Sequence, residues 1–258
     1  MKRARWMVGW VLCLAGCANA APADMKDKTL TPDSSTDEVL DALDQVGQGL
    51  KDFDAKVSMG EEDSVQGGGF KRTGRVSYRV TGEGNASVHV VFDRRIVGSK
   101  AQDKKVEYLL ADGWLTDRDY DRKVEIRRQV IKPGQKVNLL KLGEGPFPLP
   151  IGQKREDVLK LFDVKKIPAA KEDPAGSAHL ELTPKQGTSF DRKFKTIDVW
   201  VDSKSHFPVR IETFDKNETT TRTTDLSDVR VNPGLKDADF ELTKIDDHWQ
   251  STQEDYAD

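Results

Sequence analysis

Gly74-Arg-Val-Ser-Tyr-Arg-Val80, continued by Thr-Gly-Glu-Gly-Asn-Ala-Ser-Val-His-Val-Val-Phe92, decides the fold. Val76, Tyr78 and Val80 alternate with Arg75, Ser77 and Arg79, so a strand made of them has one apolar and one charged face. The turn at Gly82-Glu-Gly-Asn85 is followed by Val88, Val90 and Phe92 in the same rhythm. Two alternating runs joined by a glycine-rich turn form an antiparallel hairpin. The rhythm returns at residues 105–110, 114–119 and 123–131, with a turn signal at Asp112-Gly113. It returns again at Leu180 and Leu182, at Ile197, Val199 and Val201, at Val209 and Ile211, in the threonine-rich run 219–224, and at Val229 and Val231. Turns are expected at 202–205, at 215–218 and at Asn232-Pro-Gly234, and Phe240 and Leu242 close the fold. The expected architecture is an antiparallel meander with one apolar and one charged side. The outward side accounts for most of the 33% of residues that are charged.

Upstream the period changes. Ser35-Thr-Asp-Glu38 makes a capping box, followed by Val39, Leu40, Leu43, Val46 and Leu50 at helical spacing. Gly47 and Gly49 offer that helix a stop, and the period becomes two from Phe53 through Ala55, Val57 and Met59. A single helix running on to Val57 fits the spacing but must cross both glycines. In the middle of the chain Pro146, Pro148 and Pro150 alternate with Phe147, Leu149 and Ile151. Proline at every second position removes ladder donors, so this stretch reads as an extended apolar flap. A short helix from Arg155 to Phe162 is expected after it.

The N-terminus is an export signal with two endings. Lys2, Arg3 and Arg5 precede an apolar run from Trp6 to Leu14 that is too short to span a bilayer, which takes about 20 residues. Leu14-Ala-Gly-Cys17 resembles a lipobox, which makes Cys17 a lipidation site. Ala18-Asn-Ala20 is equally an ordinary cleavage site. The expected organisation is a signal peptide at 1–17 with the lipobox, or 1–20 without it. A flexible tether at 18–34, one domain at 35–246 and a polar, fraying tail at 247–258 follow. Removing the three basic signal residues leaves 38 positive against 44 negative side chains, a net charge of −6. Such a chain is a poor partner for nucleic acid or anionic headgroups. Cys13 and Cys17 are the only two cysteines, so the domain holds no internal disulfide.

Motifs of catalysis are absent. His89, His179, His206 and His248 stand apart from one another, outside HExxH; His89 and His179 are expected on the solvated sheet face. No G-x-S-x-G is present, and Gly67-Gly-Gly-Phe-Lys-Arg72 lacks the ending of a P-loop and reads as a hairpin loop. Asp117, Asp119 and Asp121 open like a calcium loop. Arg122 stands where its glycine belongs and Arg128 where its glutamate belongs, which leaves three carboxylates around a hairpin. No metal site, cofactor or catalytic residue is assigned. Lys71, Arg72, Arg75 and Arg79 read as strand-face cations.

The order of elements resembles the periplasmic lipoprotein carriers of the LolA-like family and their outer-membrane LolB-like receptor relatives. The resemblance is carried by the first helix running into Phe53-Asp-Ala-Lys-Val57, by Gly74-Arg-Val-Ser-Tyr78, by Ala111-Asp-Gly-Trp-Leu115 with Tyr120, and by Leu180-Glu-Leu-Thr-Pro-Lys185. Residues 197–214 and 226–240 complete it, so that it covers about 39–243. The chain departs from the family in lacking a basic residue followed by proline after Tyr78, and in ending its last strand on Lys244-Ile-Asp-Asp247. The resemblance implies an α+β fold, mainly antiparallel β, with a strongly curved, unclosed half-barrel sheet and helices covering its concave face. It implies a non-enzymatic carrier or receptor, monomeric, holding acyl chains of lipoproteins or lipids and meeting partner proteins of the inner or outer membrane. The lining it implies is Leu43, Val46, Leu50, Val76, Tyr78, Val90, Phe92, Tyr108, Trp114, Phe147, Leu149, Val199 and Val201. The alternative is an envelope interaction or sensor protein that uses the same fold, with a filled core, as a docking module.

Overall fold

Ser35 sets where the first helix begins. In the computed structural model, which describes residues 29–82, 85–132 and 154–256, its hydroxyl accepts from the Glu38 backbone N–H at 3.2 Å. The Glu38 carboxylate accepts in turn from the Ser35 N–H at 2.8 Å. This reciprocal cap pairs two donors that a helix start leaves orphaned. Helix α1 (Thr36–Gly49) follows, and the Leu50 N–H donates to the Gly47 carbonyl at its end. Replacing Ser35 with alanine is expected to cost about 1 kcal/mol, seen as a lower urea midpoint at unchanged slope. An unmoved midpoint would mean that packing alone places the helix.

Strand β1 (Asp52–Asp63) starts two residues after the cap, which excludes one helix through Val57. The meander continues with β2 (Gly68–Gly82), β3 (Asn85–Val97), β4 (Lys100–Ala111), β5 (Trp114–Asp119) and β6 (Val124–Gln129). Helix α2 (Arg155–Leu161) leads into β7 (Phe162–Ile167). Then come β8 (Ser177–Pro184), β9 (Phe194–Asp202), β10 (Pro208–Asp215), β11 (Thr220–Val231), a 3-10 turn (Asp237–Phe240) and β12 (Gln250–Glu254). The twelve strands of the described residues belong to one sheet, in the order β12-β6-β5-β4-β3-β2-β1-β11-β10-β9-β8-β7. Two hairpin series therefore run outward from the centre, where β1 pairs with β11 (Val57 opposite Leu226, Asp63 opposite Thr220). Every pairing is antiparallel except that of β12 with β6. The sheet is mainly antiparallel, as the alternation predicts, and unclosed, as the family resemblance implies, with two α-helices among the described residues.

Gly74 marks a place where the sheet tolerates no side chain. A Cβ there would lie 1.8 Å from the Val91 carbonyl oxygen, beside the register shift between β2 and β3. Only glycine fits so close an approach of two backbones.

Three expectations are corrected. Phe162 does not end α2 but begins β7, opposite Pro184 on β8. The polar tail carries a strand rather than frayed chain: Gln250–Glu254 pairs with Val124 to Arg128, and the Trp249 side chain packs edge-on against Tyr120 at 5.0 Å. A ladder needs backbone groups rather than apolar side chains, so this exposed polar strand leaves no periodic signal. The tether, expected to run to residue 34, is pinned from Leu30. Its N–H donates to the Ser203 carbonyl at 2.8 Å, its side chain is buried in the core, and Lys166 bonds the Pro32 and Ser34 carbonyls. The proline flap and the signal lie outside the described residues.

Candidate functional site

Alternation and register sort the sheet into two faces. Phe53, Ala55, Val57 and Met59 of β1 oppose Tyr78, Val76, Gly74 and Arg72 of β2, and Val88, Val90 and Phe92 of β3 continue the row. Leu110 opposes Val88 and Leu115, which carries this apolar face to β5. On the other half Ile211 opposes Val199, and Val199 opposes Leu180.

The apolar face divides into two clusters. Val39, Leu40, Ala42 and Leu43 of α1 and Val158 of α2 pack on Leu180, Leu182, Ile197, Val199, Val201 and Ile211. The helices are clasped by Arg155, whose Nη1 reaches Asp41 at 2.9 Å and Asp37 at 3.8 Å. Burial raises the Asp41 pKa, with Arg155 pulling against it. The second cluster joins Phe53, Ala55, Val57, Val76, Tyr78, Val88, Val90, Phe92 and Leu110 with Phe207 and Leu226. From the helical segment it takes only Leu50, just past the end of α1, and the half-buried Val46. Phe53 is its hinge, stacked on Tyr78 at 5.4 Å and edge-on to Phe207 at 5.0 Å. Burial pushes the Tyr78 phenol up to about 12.

Of the thirteen residues named as a lining, Leu43, Val199 and Val201 fall in the first cluster. Val46, Leu50, Val76, Tyr78, Val90, Phe92 and Tyr108 fall in the second. Phe147 and Leu149 lie outside the described residues. Trp114 is a correction: Leu115 beside it faces the second cluster, so Trp114 points to the opposite side, where Arg127 lies over its ring at 4.5 Å. A hollow of about 640 Å³ lined by Ser58, Gly60, Glu62, Lys71, Thr221 and Thr223 lies against the charged face. Its lining shares no residue with the named thirteen.

The charged face is less solvated than its composition suggests. Asp54, with a side chain only 4% exposed, accepts from Arg75 Nη2 at 2.6 Å and from Arg230 Nε at 2.7 Å, and also meets Arg230 Nη2. The Arg230 bonds hold the Asp54 carboxyl below its usual range, against the opposing effect of burial. Beyond β11 the chain crosses this face as a strap. Asn232 Oδ1 accepts from the Lys51 and Asp52 N–H groups, and Arg79 pairs with Asp237 and lies over the Phe240 ring. Arg118 bonds Glu125 at 2.7 Å and donates to the Thr243 carbonyl at 2.6 Å. His89 was expected in solvent. It is instead held between the strap and the sheet, with Nδ1–H donating to the Asp239 carbonyl at 2.7 Å and Nε2 facing Glu107 Oε1 at 2.8 Å. The Tyr120 hydroxyl donates to the other Glu107 oxygen at 2.5 Å. His179 is likewise engaged, bonded to Asp198 at 2.7 Å and stacked on Trp200 at 4.1 Å. Asp119 closes its hairpin by accepting from the Asp121 and Arg122 N–H groups, an ordinary turn use of the carboxylate.

Among solved structures the chain is similar to LolA-superfamily, lipoprotein-sorting and MucB proteins, as a likeness of fold at low identity. One is a LolA superfamily protein from Nitrosomonas europaea, at 13% identity and a TM-score of 0.31 over 81% of this chain and 98% of that one. Another is an outer membrane lipoprotein-sorting protein domain from Vibrio parahaemolyticus, at 14% and 0.33 over 79% and 94%. A third is the MucB of Pseudomonas aeruginosa, solved with MucA, at 9% and 0.42 over 80% and 61%. No protein-family model matches the sequence, and no curated protein matches it. Among the described residues no helix is long and apolar enough to cross a membrane.

Proposed function

We propose that this chain is a non-enzymatic carrier or receptor of the bacterial cell envelope, holding acyl chains of a lipoprotein or lipid between the apolar sheet face and its helical cover. The observation that carries the reading is the unequal share of that face taken by the described helices. Both helices pack on the β8–β10 half, while the described helical contribution to the β1–β4 half is Val46 and Leu50 alone. Val76, Tyr78, Val90 and Phe92, buried to 8% exposure or less in this half, are chemically suited to methylene chains. Each methylene moved from water contributes about 0.8 kcal/mol, which the protein has to match for a lipid to cross an aqueous space. The chemistry of the two engaged histidines supports a binding protein rather than a catalyst. Each is committed to a structural carboxylate on the charged face, on the far side of the sheet from the apolar surface.

Mass spectrometry of an organic extract of the purified protein tests the reading. A reproducible acyl lipid is expected. A lipid-free protein that also fails to release lipoprotein from membranes overturns it, and leaves the docking-module alternative. We further propose that Cys17 carries the anchor and that residues 18–29 form the tether before the pinned Leu30. Labelling with a radioactive fatty acid is expected to mark the wild type and to vanish in Cys17→Ala; equal labelling of both overturns the anchor.

A further inference from the structure

The apolar face ends in cations. Arg72 sits on it, opposite Met59 of β1 and opposite Arg95 of β3, in the same row as Val76 and Tyr78. Both guanidinium groups approach the ring of Phe70, with Arg72 Cζ at 5.1 Å and Arg95 Cζ at 4.9 Å from its centroid. Arg72 Nη1 donates to the Tyr108 hydroxyl at 3.3 Å, which ties the pair to the second cluster. The Nε of Arg95 is buried and has no hydrogen-bond partner. Neighbouring arginines differ. Arg94 pairs with Asp103 and Arg222 with Glu61, whereas neither Arg72 nor Arg95 forms an ion pair with a carboxylate among the described residues. On this face Glu61, opposite Phe70, is the carboxylate nearest Arg72 in register and is paired with Arg222, and Asp117, opposite Tyr108, also feels the Arg72 charge. Burial raises the Asp117 pKa, with Arg128 and Arg72 opposing, and Asp117 forms no hydrogen bond to Arg72.

A buried donor without an acceptor carries its full desolvation cost, so a ligand oxygen that reaches it is favoured. Guanidinium groups present a planar fork that suits phosphate oxygens and keep their charge at every physiological pH. We propose that the ligand is an anionic amphiphile. Its acyl chain lies along Val76, Val90 and Phe92, and its phosphodiester meets Arg72 and Arg95 where the apolar surface ends. This rests on the acyl-binding reading and names the ligand class for it. The net charge of −6 in the exported form disfavours an anionic membrane at long range. One phosphate at contact answers instead to the groups within a few ångströms, where charge is poorly screened.

Calorimetric titration of the purified protein with dioctanoylphosphatidylglycerol, dioctanoylglycerol and inorganic phosphate tests the proposal. The phosphatidylglycerol is expected to bind about tenfold tighter or better than the diacylglycerol. In Arg72→Gln/Arg95→Gln its affinity is expected to fall to the level at which the wild type binds dioctanoylglycerol. Arg94→Gln, on the opposite face, should keep the wild-type preference. Should the double variant melt early, Arg95→Gln alone is expected to remove part of the preference. Equal affinity of the wild type for both lipids overturns the phosphate site while leaving the acyl reading in place. A preference that survives the double substitution also overturns it, as does inorganic phosphate binding as tightly as the phospholipid. Failure to bind either lipid overturns the acyl reading itself.

Discussion

Replacing Phe53 with alanine is expected to destabilise the protein by about 3–5 kcal/mol, the largest single effect of any core truncation here. The ring is only 1% exposed and touches both neighbours that could have closed over a void, Tyr78 and Phe207. Tyr78 belongs to β2, and Phe207 precedes β10 from the other hairpin series. Phe53 itself sits on β1, which pairs with β11 at the centre of the sheet. Its loss therefore loosens the junction of the two halves, and neither half can relax into the space without moving its own strands. For a domain of this size the melting temperature should fall by roughly 6–20 °C, at 2–4 °C per kcal/mol. A fall under about 2 °C in a calorimetric scan would show that the two halves are held together elsewhere.

Removing the Glu107 carboxylate, in Glu107→Ala, is expected to cost about 3 kcal/mol near pH 6 and much less near pH 8.5. Both oxygens are in use, by His89 Nε2 and by the Tyr120 hydroxyl, and the Glu107 side chain is only 5% exposed. Since a carbonyl can only accept, His89 Nδ1 carries a proton toward Asp239; Nε2 then needs a second proton to donate to Glu107. The imidazolium is the form that fits. Burial opposes its charge, but the bonds to Glu107 and to the Asp239 carbonyl outweigh this and raise the His89 pKa above its ordinary 6.5. Burial also works against the Glu107 charge, and the bonds from His89 and Tyr120 prevail, lowering its pKa from the ordinary 4.5.

The signs follow from the two shifts. A raised histidine contributes stability that is complete below its unfolded pKa and is lost as pH rises through the folded one. A lowered glutamate contributes stability that is complete above its unfolded pKa and is lost as pH falls through the folded one. The pair is thus at full strength between about pH 4.5 and 6.5 and weakens on both sides. Melting curves of wild type and Glu107→Ala from pH 5 to 8.5 should converge toward the alkaline end. A constant gap would mean that His89 does not titrate against Glu107. Hydrogen exchange of the strap, residues 236–243, should quicken over the same range, because Asp239 is held by the same ring.

How much of this could be read in advance depends on whether the signal is local. The capping box at Ser35 and the change of period at Phe53 are contained in a few residues, and both were legible. So were most strands of the meander, since alternation records which side chains share a face. Arg72 was legible too: it has the parity of Val76 and Tyr78, but grouping it with Arg75 and Arg79 as a basic cluster concealed that it faces the other way. Trp114 was not legible. Its run, Trp-Leu-Thr-Asp-Arg-Asp, puts polar residues on both parities, and only the pairing of Leu115 with Leu110 decides which face is apolar. The strand at Gln250–Glu254 has no apolar pattern to find, and β7 is short and lysine-rich.

The sequence by itself determined most of the elements, the one-faced character of the sheet and the helix that starts at Ser35. These follow from periodicity and capping, which act over a few residues. Only the tertiary structure decided that a strap crosses the charged face, that His89 is locked between Glu107 and that strap 150 residues away, and that Arg72 and Arg95 stand together where the apolar surface ends. Those outcomes depend on strand register and on chain returning from far along the sequence, and neither is recorded in the spacing of neighbouring residues.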